Sequence, residues 1–257
     1  MPSFRRGRVA EIIGERPGLQ RVAVDLGAGP ERSYVLTDLT GPVALDDEVV
    51  VNTRAVELQL GTGGWHFVHW NLSRDEWSAP GPGHIMKLRY TSLQADTGCV
   101  EELDPRMGSA VSLDGMPVVS CALHSQLAAA AAAFREVAPR ARLAYVMTDG
   151  AALPLALSDL VAELREKGLL DVTVTCGHAF GGDHEAINLH AGLAAARHVG
   201  DADAALVAVG PGIVGTNTPL GHTGLDAAVT LDAAAALGGR PVAALRVSFA
   251  DHRERHR

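Results

Sequence analysis

MPVVSCALHSQLAAAAAAFREVAPRARLAYVMT, residues 116–148, decides the fold. Its ends are short apolar runs, MPVVSCAL (116–123) and ARLAYVMT (141–148), and the alanine-rich stretch between them meets no glycine or proline before Pro139. Short apolar runs around a long helix-forming segment read as strand, helix, strand. The alternation continues through DVTVTC (171–176), AALVAVG (204–210) and RPVAALRVSF (240–249), with helical segments near 125–138, 154–167, 183–199 and 222–237. Strands that are apolar on both sides need cover on both faces, which a parallel sheet between two helical layers supplies. The pattern predicts a doubly wound α/β fold, a Rossmann-like α/β domain over residues 84–257.

Before residue 80 the texture differs. GRVAEII (7–13), RVAVDL (21–26), SYVLTDL (33–39), DEVVVN (47–52) and GWHFVHWNL (64–72) are short alternating runs punctuated by Pro-Gly, Gly-Pro and Gly-Gly. That spacing predicts a small antiparallel β-barrel or sandwich over residues 1–80. SAPGPGH (78–84) reads as a linker, and HIMKLRYTSL (84–93), with Met86, Leu88 and Tyr90 alternating with Lys87 and Arg89, reads as one more strand. Trp65, Trp70 and Trp77 are expected in the barrel core rather than on a contact surface.

Composition narrows the function classes. A chain of 257 residues with 47% hydrophobic and 20% charged side chains has enough material for a full core. No apolar run reaches the roughly 20 residues that cross a bilayer, and the start MPSFRRGRV lacks a signal-peptide core, so the expectation is a cytoplasmic chain without a membrane partner. The formal charge of −8, with basic clusters only at Arg5, Arg6 and Arg8 and at Arg253, Arg255 and Arg257, disfavours nucleic acid. Cys99, Cys121 and Cys176 form no C-x-x-C pair and read as free buried thiols. Alanine- and glycine-rich helices leave a homodimer open.

In a doubly wound sheet the ligand crevice lies beyond the carboxyl ends of the strands. The residues there are His124 and Ser125; Thr148, Asp149 and Gly150; Gly177 and His178; Gly210, Pro211 and Gly212; and Ser248, Asp251 and His252. Ser125 reads as the N-cap of the helix it opens, and without a G-x-S-x-G elbow a serine hydrolase is rejected. Asp149 is left free by Pro154, which starts the next helix, and can take a ribose hydroxyl, a metal or an amine.

CGHAFGGDHEAINLHAG (176–192) offers two readings. Asp183 can cap a following helix, with His178 or His184 as a general acid/base histidine. Alternatively His178, Asp183, His184 and Glu185 supply ligand types for a divalent metal, although their spacing matches no zinc signature. His190 falls on the opposite helix face. The candidate catalytic residues are thus His178, Asp149 and His184.

GPGIVGTNTPLGHTG (210–224) contains G-x-G-x-x-G at Gly210, Gly212 and Gly215 directly after a strand. It is not a dinucleotide fingerprint, because Pro219 and Gly221 delay the helix and no acidic residue ends the next strand. What remains is a loop with no carboxylate until Asp226, whose amides and the hydroxyls of Thr216, Thr218 and Thr223 suit an anion. Gly210, Gly212, Gly215, Thr216 and Thr218 are the expected ligand-binding residues.

LHSQLAAAAAAF, YVMTDGAALPLALSDLV, TCGHAFGGDHEAINLHAGL and VGPGIVGTNTPLGHTGLDAA, with HIMKLRYTSLQ and the amino-terminal RRGRV, resemble the bacterial family catalogued as domain of unknown function 3866. The resemblance runs over essentially the whole chain. It supplies no reaction and no catalytic residue, and it implies proteins that continue past HRERHR. Two functional expectations stand beside it: an enzyme acting on a small anionic or nucleotide-like molecule, and a non-catalytic metabolite-binding or regulatory protein. An interaction scaffold is the weakest reading.

Overall fold

The computed structural model describes residues 1–216, 218–247 and 249–250. Asn217 of the glycine-rich loop, and Ser248, Asp251, His252, Arg253, Arg255 and Arg257, lie outside the described residues. Two compact units emerge, Met1–Pro80 with Tyr90–Ala95, and Gly81–Arg89 with Asp96–Arg257.

The first unit is a closed five-stranded barrel in the order β1-β2-β3-β5-β4. Its elements are β1 (Phe4–Arg16), β2 (Leu19–Asp25), β3 (Pro30–Val35), the single-turn helix α1 (Thr37–Thr40), β4 (Glu48–Asn52), the single-turn helix α2 (Arg54–Glu57) and β5 (His66–Asn71). Closure depends on β1, which is long enough to pair antiparallel with both β2 and β4 and bends at two register shifts, after Val9 and after Ile12. Gly7 permits the tight corner, since a Cβ there would strike the Asp25 carbonyl and the Val24 and Leu26 side chains. The barrel is not purely antiparallel: Ser33 and Tyr34 of β3 pair in parallel with His66 and Phe67 of β5. Val9, Val22, Val24, Leu26, Val35, Val43, Val49, Val51 and Val68 fill it, as alternation requires.

The tryptophans are not in that core. Trp65 stacks on Tyr34 with centroids 4.5 Å apart, and Arg32 lies 5.0 Å over its ring. Trp77 is exposed beneath Arg74. A barrel this narrow is filled by valine and leucine, which sends the large rings outside.

The second unit contains α3 (Val100–Leu103), β6 (Pro117–Cys121), α4 (Gln126–Val137), β7 (Leu143–Thr148), α5 (Asp159–Glu166), β8 (Val172–Cys176), β9 (His184–Ala186), α6 (Leu189–His198), β10 (Ala204–Val209), α7 (Asp226–Ala236) and β11 (Arg240–Ala244). Six parallel strands run in the order β11-β6-β10-β7-β8-β9. Leu127 and Ala131 of α4 and Val161 and Leu164 of α5 pack on one face with Tyr145 and Met147. Leu193 and Ala195 of α6 and Ala233 and Ala234 of α7 pack on the other with Val146 and Val207. The helix α5 that follows β7 therefore lies on the opposite face from α6, which follows β8 and its edge partner β9, and from α7, which follows β10, so the connections part at the carboxyl end of β7.

Several expected elements are corrected. Residues 84–93 form no strand. Lys87 instead turns inward, 1% exposed, and donates to the Thr175 carbonyl (2.9 Å), the Ala179 carbonyl (2.5 Å) and Glu185 (2.6 Å). The helix expected from residue 183 starts at Leu189, capped by Asn188, whose side chain accepts from the Ala191 amide. Residues 184–186 are spent on the edge strand β9. Ser125 makes no side-chain cap to α4. Ser158, not Pro154, opens α5, its hydroxyl accepting from the Val161 amide. β11 stops at Ala244. The three cysteines are free and buried. Among the described residues no helix is long and apolar enough to cross a membrane.

Candidate functional site

β7 ends on the buried Thr148, and Asp149 and Gly150 follow at the parting of the connections. The Asp149 carboxylate sits over Gly177, at the end of β8, so closely that a Cβ on Gly177 would collide with it. It accepts from the His178 amide at 2.9 Å. Gly177 has φ of +64°, so glycine serves there both for its backbone angle and for the room it leaves.

On the other side of β7, α7 brings Asp226 in from the far end of the glycine-rich loop. A Cβ on Gly150 would collide with the Asp226 carboxylate and with Val209. Burial raises the Asp226 pKa, and the charge of Asp149 raises it further. Two glycines thus mark where two carboxylates cross the sheet edge.

Thr148, Thr223, Asp226 and Thr230 line one narrow recess with the ends of β6 and β10. Met147 packs on the α4 and α5 face, so Thr148, one residue on, points to the face that carries α7. Its hydroxyl is buried and has no hydrogen-bond partner among the described residues; the same holds for His178 Nδ1. Buried polar groups are nearly always paired, so such an orphan marks a place for a missing partner.

The expected residues are only partly gathered. Asp149 and His178 adjoin. His124 lies at the neighbouring strand end but is built into the scaffold. Its Nδ1 lies 3.1 Å from the Val209 carbonyl and its Nε2 lies 2.7 Å from the Ser158 hydroxyl, with Tyr145 OH 3.2 Å from Nδ1. A carbonyl can only accept, so Nδ1 carries the proton, and because burial disfavours the charged ring, Nε2 is left to accept from the Ser158 hydroxyl. Burial holds the His124 pKa down against the favourable Val209 contact.

The four proposed metal ligands do not converge. Asp183 is committed to Arg165 and to the amide and hydroxyl of Thr173, on β8. Glu185 accepts from Lys87, from the Thr175 hydroxyl at 2.6 Å and from the Gly181 amide at 2.7 Å. His184, one residue along β9, points to the opposite face. It lines a cavity of about 460 Å³ with Asp104, Arg106 and Thr97, whose wall Asp183 and Glu185 also reach, although both are held by the partners just named. There the hydrogen bonds from Arg106, and more weakly the nearby His184, lower the Asp104 pKa to about 2. Among the described residues no three His, Cys, Asp or Glu side chains are placed to share a metal. His184 therefore stands apart from Asp149 and His178.

The glycine-rich loop folds on itself. Gly215 bridges His222, the Thr216 amide donates to the Gly221 carbonyl, and the hydroxyls of Thr216 and Thr218 bond each other at 2.9 Å. The hydroxyls expected to hold an anion are spent within the loop. Gly212 has φ of +88°, and Gly210 is needed because a Cβ would meet the Ala152 carbonyl. The loop's contribution is to deliver Asp226.

Sequence reading missed two residues. Asp226 enters the sequence reading only as the first carboxylate after a long ligand-type loop and not as a candidate, although that position was a usable signal. Lys87 passed for the polar half of an alternating strand, yet a lysine among Ile85, Met86 and Leu88 in a chain with two lysines was the clue.

A family model described as "Protein of unknown function (DUF3866)" matches residues 32–257. No match was found among curated proteins.

Proposed function

We propose, for a chain that belongs to this family of proteins of unknown function, an enzyme acting on a small nucleotide-like or otherwise anionic ligand at the carboxyl end of β7. One observation carries the reading: Asp149, bonded by the His178 amide, and Asp226 lie against Gly177 and Gly150 where the connections of the sheet part, and neither glycine could carry a side chain without striking its carboxylate. Carboxylates at such a position accept ribose or sugar hydroxyls. Asp149, exposed at the mouth, is the group that binds and orients. His178, whose backbone amide bonds that carboxylate and whose Nδ1 has no partner among the described residues, is assigned the role of proton carrier.

The runner-up is a non-catalytic metabolite-binding protein. His124 is locked in a neutral structural network and His184 lies elsewhere, which leaves a single histidine at the site. A thermal-shift screen of nucleotides and phosphorylated metabolites, followed by turnover assays on the hits, tests both. Expected are a hit that Asp149→Asn weakens and a turnover that His178→Ala removes while binding persists. Binding with no turnover transfers the site to the runner-up. A hit unaffected by Asp149→Asn overturns the location.

A further inference from the structure

We propose that the cavity beside β9 is a second binding site, built for the zwitterion of an α-amino acid with an aliphatic side chain. It is independent of the reading above, since Asp149, His178 and Asp226 take no part in its lining. Every residue that lines it belongs to the second unit. Its volume of about 460 Å³ lies within the ~300–1,000 Å³ of ordinary small-molecule sites. Leu103 and Arg106, both exposed, leave it open to solvent.

The charges of its wall cancel in pairs. Asp104 is held by Arg106, Asp183 by Arg165 and Glu185 by Lys87. Asp201, whose charge also reaches Arg106, does not line the cavity. A ligand with a net charge would give up its water shell there without meeting a net counter-charge. A ligand with one charge of each sign can be matched at both ends.

Unengaged polar atoms offer both matches. Arg106 donates to the two Asp104 oxygens through Nε, at 3.0 and 3.1 Å, and through Nη2, at 2.6 Å. Asp104 also accepts from the Arg106 amide at 2.9 Å, so the guanidinium is fixed from both ends of its own residue. Its Nη1 has no partner among the described residues, and neither has either ring nitrogen of His184 across the same cavity. A guanidinium held in plane with a free edge is suited to a carboxylate. The acid side differs. Every bond that Asp183 accepts, from Arg165 and from the amide and hydroxyl of Thr173, ends on Oδ2. That leaves Oδ1 as an acceptor for an ammonium. Pro82, Val100, Leu103 and Val199 supply an apolar wall, which selects an aliphatic body between the two charged ends.

The test is equilibrium dialysis of the full chain against isotope-labelled L-leucine, with three competitors that each lack one feature. 4-Methylpentanoate lacks the ammonium, 3-methylbutylamine the carboxylate and glycine the side chain. L-Leucine is expected to bind, and each competitor to displace it at least about tenfold less effectively than unlabelled leucine. Arg106→Gln should weaken leucine about 10- to 100-fold with the melting temperature unchanged, because Arg106 is exposed. Leu103→Ser should weaken it less, and Asp149→Asn should leave it unmoved. Either 4-methylpentanoate or 3-methylbutylamine competing as well as leucine would overturn the zwitterion in favour of a simple anion or cation. No leucine bound at millimolar concentration, or an affinity indifferent to both Arg106→Gln and Leu103→Ser, overturns the site. Leucine binding lost in Asp149→Asn would move the ligand to the carboxyl end of β7, and the cavity would fall while that site stood.

Discussion

Lys87 shows how much of the architecture rests on one side chain. Three protons of a buried ammonium meet two carbonyls and the Glu185 carboxylate, so every donor is satisfied. The pair ties the 81–89 segment to the end of β8 and to β9. Removing one member strands the other. Lys87→Ala should lower stability by about 3–5 kcal/mol in urea unfolding, because Glu185 loses its counter-charge in a largely buried site. Lys87→Met with Glu185→Gln should recover part of the loss, the cost being an unpaired charge more than lost packing. A double variant as unstable as the sum of its singles would refute the pairing argument. None of this was legible from local pattern, because the partners are 88, 92 and 98 positions away.

Elements were legible where burial is symmetrical. β7, β8 and β10 are buried at every position, so runs such as LAYVMT and AALVAV could belong only to a covered sheet. Boundaries failed where polar side chains make specific bonds that composition does not reveal. Asp183 and Asn188 are both good caps, and only the pairing of Thr173 with Asp183 decides between them. Ser158 is a related case, coupling two elements as it caps α5 and donates to His124 Nε2. A protonated Nε2 would no longer accept, and the serine hydroxyl would have to find another acceptor in a buried site. The sign follows. The folded His124 pKa lies below its ordinary value of 6.5. Its contribution is therefore fully present above about pH 6.5 and is lost as pH falls through the folded value. The urea midpoint should drop between pH 7.5 and 5.5, and His124→Gln, less stable at neutral pH, should show a shallower drop. An identical pH slope in the variant would remove His124 as the cause.

At the scale of the whole molecule, the change of texture near residue 80 was legible because alternating strands and all-apolar strands obey different burial rules. The return of residues 90–95 to the barrel unit was not, since YTSLQA carries no period that assigns it to either fold. The cores keep to the same division. One cluster is built from residues 9–68 alone, and the two that sandwich the parallel sheet begin at Val100 and Val119. Each unit thus owns the apolar contacts that make its unfolding cooperative, and a cavity in one core should be felt there alone. Leu26→Ala in the barrel and Leu206→Ala in the sheet, both at buried positions, should each remove about 2–5 kcal/mol from one unit. Scanning calorimetry should then resolve two transitions, with Leu26→Ala lowering one and Leu206→Ala the other. If either substitution lowers a single common transition, the two units fold as one, and ligand binding at β7 would stabilise the barrel as well. If the transitions separate, a ligand at the carboxyl end of β7 should raise only the transition that Leu206→Ala lowers, because binding stabilises the state that binds.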